Sequence, residues 1–163
     1  MKRILFIALF ATVLSDIFVH LFNYFYHLPQ GVLAPLGRWV AGFPQGNFYL
    51  ENIFNEPTLP YETQLGALIH AFIALTFSFF YIILLRSVFG FDHDVRDGLI
   101  YGLALMFFPL IFEMPAMGLG YFGMNIANHK LILARLVGDH LFFGLGLGLG
   151  LELFNCLFDK KKL

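Results

Sequence analysis

The chain has 163 residues, 59% of them hydrophobic and 13% charged, with a mean hydropathy of +0.76. A soluble domain carries about 25% charged residues, so composition excludes an ordinary water-soluble fold and places the chain in a bilayer. A net charge of −1 gives no support for nucleic-acid binding, and the single cysteine, Cys156, excludes an intrachain disulfide.

Met1-Lys2-Arg3 followed by an apolar run imitates a secretory leader. Such a leader has an apolar region of about 7–15 residues and then a small-x-small cleavage site. Here the apolar pattern continues past Asp16 to Tyr26 without such a site, so residues 4–26 read as an uncleaved first helix. Residues 28–63 form a long connection broken by Pro29, Pro35, Pro44, Pro57 and Pro60. Within it, 32–40 and 47–55 read as short interfacial helices, and Trp39, Phe43, Phe48, Tyr49 and Phe54 suit the headgroup zone. The segment is read as an interfacial anchor, with a lid over the helix ends as the alternative.

Residues 64–86 form the second predicted span. A short acidic connection with Asp92, His93, Asp94 and Asp97 follows and reads as a solvated turn. The third span covers 98–122, where Pro109 and Pro115 flank Glu113 and predict a kink with freed carbonyls. The fourth covers 131–158 and contains Gly144-Leu-Gly-Leu-Gly-Leu-Gly150, a close-packing face and not a phosphate loop. Each run is long enough for a hydrocarbon core of ~30 Å, which takes about 20 helical residues. Backbone groups in lipid must be satisfied internally, so all four are helices. The expectation is an all-α, polytopic four-helix membrane bundle in a single domain.

With the N-terminus in the cytoplasm, Lys2, Arg3, Arg86, Arg96, Lys160, Lys161 and Lys162 are inside, while Arg38, Lys130 and Arg135 are outside or in the outer leaflet. That bias favours both termini on the cytoplasmic side, with 28–63 as the first outer loop.

Polar residues then converge on one depth. The first helix carries Thr12, Asp16, His20, Asn23 and His27 on one face; the others contribute His70, Glu113 and His140, with Arg135 and Asp139 as a neighbouring i,i+4 pair. Counted from the outer boundary, His20 and His70 lie roughly 9 Å in, Glu113 and His140 ~13 Å, and Asp16 ~15 Å. Ionisable groups cost about 3 kcal/mol or more at such depth, so they mark a site or face the bundle interior.

Three readings follow. A structural layer uses these groups to hold the bundle together or to dock it to a second copy or a larger membrane complex. A metal site uses Asp16, His20, His70, His140 and Glu113, with Met117 as a soft ligand for a transition metal; a haem between His20 and His70 is the less favoured cofactor. A proton or ion relay uses the same residues, but the inner half offers only Ser78, Tyr81 and Glu152 to continue it. The structural reading requires each histidine to pair with a carboxylate or a backbone group. The metal reading requires ring nitrogens within about 4–5 Å of one another. No nucleophile–base spacing, dinucleotide fingerprint or lipid-phosphate motif argues for an enzyme.

The pieces Gly37-Arg38-Trp39, Gly42-Phe-Pro-Gln-Gly46, Pro115-Ala-Met117-Gly-Leu-Gly120 and Arg135…His140-Leu-Phe-Phe-Gly144-Leu-Gly-Leu resemble, in order and spacing, the bacterial membrane-protein family DUF2938. The resemblance spans most of the chain and implies a four-helix protein of the bacterial inner membrane, with no established activity. It falls on Arg38, Trp39, Met117, Arg135 and His140 and stops short of Glu113.

Overall fold

The computed structural model describes residues 2–28, 33–84, 88, 90 and 94–158. Met1, Pro29, Val32, Arg86, Asp92, His93 and Lys160, Lys161 and Lys162 lie outside them. Helix α1 spans Lys2–Phe25, α2 Leu33–Ala41, and α3 Glu62–Phe79 with a π turn over Phe80–Leu84. Helix α4 runs over Val95–Ala116 and α5 over His129–Phe158. Short 3-10 turns occupy Phe43–Gln45 and Ile53–Asn55, and no strand occurs among the described residues. α1, α3, α4 and α5 are each long and apolar enough to cross a membrane.

Their outward faces are apolar. Leu5, Leu9, Val13, Ile17 and Leu21 recur every fourth residue on α1 and are all exposed, a stripe suited to lipid.

Local chemistry sets the helix ends. Asp94 caps α4 by accepting from the Asp97 amide at 2.8 Å. At its other end α4 is expected to reach 122 and instead stops at Ala116. Gly118 adopts φ +77, with the Gly118 amide bonded to Pro115 O and the Leu119 amide to Met114 O, the left-handed glycine stop of a Schellman motif. Between them, α4 widens into a π turn at Pro109–Glu113, where the Met114 amide reaches back to Pro109 O. Pro115 lacks the amide that would continue the ordinary ladder, so the predicted distortion at Glu113 takes this form.

Helix α5 is the centre, with α1 on one side and α4 on the other; α3 meets α1 and also carries α2. The glycine run explains this placement. Gly144 and Gly148 abut the α4 backbone at Gly98 and Val95, while Gly146 and Gly150 meet Ala11 and Phe10 of α1. One run of small residues thus serves two neighbours. Ile7, Ala11, Phe143 and Leu147 fill the core between them.

At the end expected to lie inside, α3 and α4 close together through stacked Tyr81 and Tyr101, ring centroids 5.5 Å apart. The Tyr101 hydroxyl donates to Phe77 O at 3.0 Å, and that of Tyr81 to Asp94 O at 2.9 Å. Tyr101→Phe is expected to cost about 1 kcal/mol, the net worth of one such bond, read as a lowered thermal midpoint in detergent; an unchanged midpoint would mean that the bond contributes nothing.

At the opposite end, α2 lies across α3 at a glycine contact. A Cβ on Gly37 would strike Glu62 O and come within 2.7 Å of Gly66 N, and one on Gly66 would strike Leu33 O. The following segment docks by backbone bonds, the Leu50 amide to Ala116 O at 2.8 Å and the Ile53 amide to Met117 O at 2.9 Å. Leu36, Ile53, Met117 and Leu119 form a second buried cluster beneath it. Residues 33–61 are therefore a packed cap tied to α3 and to the end of α4.

Candidate functional site

Helix α1 brings Asp16 to the α3 side, where Asp16 Oδ1 lies 4.0 Å from His70 Nε2. That distance is an ion-pair contact and too long for a hydrogen bond. The Asp16 side chain is 64% exposed and that of His70 33%. Asp139 of α5 couples electrostatically to Asp16, and His140 couples to both Asp139 and His70. Among the described residues, the one direct contact between these groups is that of Asp16 with His70.

His140 is fixed by its own helix. Its Nδ1 lies 3.0 Å from Leu136 O. A carbonyl only accepts, so Nδ1 carries the proton and donates. His20, one turn from Asp16, is exposed and has no hydrogen bond or ion pair among the described residues.

Arg135 is buried at 9% exposure and its Nη1 donates to Asn23 Oδ1 of α1 at 3.3 Å. Asp139, four residues on, acts on it by charge. No Arg135–Asp139 ion pair occurs among the described residues, and the direct partner of Arg135 is the Asn23 amide oxygen.

Glu113 and Met117 do not join the layer. The Glu113 carboxylate makes no hydrogen bond or ion pair among the described residues. Met117 lies beyond the end of α4, at 4% exposure among Leu36, Ile53 and Leu119, where its flexible thioether fills an irregular gap. Among the described residues, no group of three or more His, Cys, Asp or Glu side chains is placed to hold a metal ion.

Arg38 and Trp39 build the cap. Arg38 grips Glu62 through Nε–Oε2 at 2.7 Å and Nη2–Oε1 at 2.8 Å, and its Nη1 donates to Ile53 O and Glu56 O. The hydrogen bond to Glu62 raises the guanidinium pKa above its ordinary value. Trp39 Nε1 donates to Phe48 O at 2.9 Å, and its ring meets Phe43 edge-on. A cleft of about 290 Å³ opens beside these residues toward Asn47, Pro57 and Tyr61. Four of the five N–H donors of its cation already go to Glu62 and two carbonyls.

Two partners escape a reading of the sequence. Glu62 is 24 residues from Arg38, and its only local signal is an acid in the first turn of a helix. Asn23 stands on the polar face of α1, but nothing in spacing pairs it with Arg135.

Four helices among the described residues are long and apolar enough to cross a membrane, which marks a multi-pass membrane protein. Residues 5–152 match the family described as protein of unknown function, DUF2938, and the chain belongs to that family. No curated protein and no solved structure matches it.

Proposed function

We propose that the protein is a structural or accessory component of a bacterial inner-membrane assembly, with both termini in the cytoplasm. In this reading the acid–imidazole layer fastens α1, α3 and α5, and the exposed part of that layer on α1 meets a neighbouring chain. The observation that carries it is the pairing of His70 and His140; His20, which this reading also requires to be paired, has no partner within the chain among the described residues. His70 has a carboxylate partner and His140 a backbone partner, as a structural layer requires. Asp16 remains 64% exposed, with His20 exposed one turn away. A carboxylate facing hydrocarbon costs about 3 kcal/mol, and burial against a second chain offering a donor removes that cost.

The test is particle size in native-lipid nanodiscs. The wild type is expected to run well above a single 18.6 kDa chain, and Asp16→Ala with His20→Ala to shift to a single chain. A wild type that is already a single chain would sink the proposal. A cation or proton-transfer site is the competing reading. Near-stoichiometric bound metal that disappears in His70→Ala, His140→Ala would put that reading in its place.

A further inference from the structure

We propose that Arg135 and Asn23 form a binding site for a phosphate-type oxyanion at the membrane boundary on the side of the cap. Asn23 is 1% exposed, its Oδ1 is taken by Arg135, and its Nδ2 is buried without a partner. An orphaned amide donor of this kind costs about 1–3 kcal/mol. Arg135 has five N–H donors in a fixed fork, and among the described residues only Nη1 is engaged, at 3.3 Å. A buried cation and a buried amide therefore stand side by side with donors left over after the one bond between them. The missing partner is an oxygen-rich anion, the group to which a guanidinium fork is matched.

Position selects the same chemistry. Helix α5 has 30 residues, about 45 Å of helix against a hydrocarbon core of ~30 Å, so each end extends about 7 Å beyond it. Arg135 lies six residues in from His129, roughly 9 Å along the axis. That is the depth at which hydrocarbon gives way to lipid phosphate. His129 and Lys130 are exposed in the first turn of the same helix. The amides of His129, Leu131 and Ile132 are bonded to Ile126 O and Asn128 O, so the positive potential of that turn comes from Lys130 and the helix dipole. Asp139 is the opposing charge. It lies one turn deeper, where it also acts on Asp16 and His140, so its field is shared with that layer. The oxyanion comes either from a phospholipid headgroup of that leaflet or from free phosphate; both present the same oxygens.

The experiment uses the full chain in mild detergent. Native mass spectrometry compares dioleoyl phosphatidic acid with dioleoylglycerol, which has the same tails and no phosphate. Thermal midpoints are read with inorganic phosphate against chloride at equal ionic strength. Phosphatidic acid is expected to bind at least about tenfold more tightly than dioleoylglycerol, the scale of one charged hydrogen bond. Arg135→Gln is expected to erase that preference. Asn23→Asp guards against a variant that merely fails to fold. It is isosteric, its carboxylate occupies Arg135 from within, and it is expected to keep or raise the basal midpoint while losing the preference. A phosphate response in the wild type that both variants lose identifies a soluble anion as the source, and a response to the lipid alone identifies the headgroup. Indifference of the wild type to both probes, or a preference that survives Asn23→Asp, overturns the site.

Discussion

Gly144→Val is expected to prevent accumulation of the folded protein. A Cβ at this position strikes the carbonyl oxygen of Gly98, lies 2.9 Å from the Gly98 carbonyl carbon and 3.2 Å from the Gly102 Cα. All three are backbone atoms of α4, so no rotamer change relieves them. The reciprocal contact is as tight, because a Cβ on Gly102 would strike His140 O and come within 3.0 Å of the Gly144 Cα. Over-packing an ordinary core costs about 1–3 kcal/mol. Here two helix backbones must separate along their whole contact, so a loss of at least about 3 kcal/mol is expected, a large part of the 5–15 kcal/mol typical of a folded domain. Displacement of α4 also carries Tyr101 away from Phe77. The measurement is the size-exclusion profile and thermal midpoint in mild detergent beside Leu149→Val, a change on the exposed face of the same helix. A Gly144→Val protein with the wild-type profile and midpoint would show that α4 and α5 do not meet at these glycines.

The four long helices were legible because lipid leaves the backbone a single economical solution and apolar length reports it directly. The glycine run was legible as a place of close approach. Its division between two partners follows from the helix itself, since residues two apart lie about 200° apart around the axis. Gly144 and Gly146 therefore face different neighbours. Counting residues also put Asp16 and His70 at a similar level, and these two side chains do approach each other. What depth cannot give is rotation about each axis. The π turn at Pro109–Glu113 inserts one extra residue into the turn, which rotates the following residues by roughly 100°. Counting residues through an ordinary helix therefore misassigns the faces beyond it. Met117 went astray for a related reason. The stop at Gly118 removes it from the helix and hands it to the cap. Arg135 and Arg38 were visible as charges near membrane boundaries, but their partners Asn23 and Glu62 come from other helices, and sequence spacing holds no record of such pairs.

Arg38→Ala is expected to unfasten the cap while leaving the four-helix core in place. One guanidinium joins three elements: the Glu62 carboxylate at the start of α3, and the carbonyls of Ile53 and Glu56 in the connecting segment. The same carboxylate also accepts the Leu59 amide at 3.0 Å. Truncation leaves two carbonyls without their donor and the carboxylate with the Leu59 amide alone, and α2 loses its ion pair to α3. The α2–α3 contact at Gly37 and Gly66 does not involve this side chain and should persist. Hydrogen exchange in nanodiscs separates the two parts. The amides of Leu50 and Ile53, which bond to Ala116 and Met117, are expected to exchange at least about tenfold faster, as local opening without global unfolding allows. Amides of the α5 centre, such as Leu147, should keep their wild-type rates. Arg38→Lys should fall between the two, because an ammonium preserves the charge and loses the two-pronged fit to Glu62. Wild-type protection of Leu50 and Ile53 in Arg38→Ala would mean that the backbone bonds to the end of α4 and the apolar cluster around Met117 hold the cap alone, and that the Arg38–Glu62 pair serves the neighbouring cleft instead.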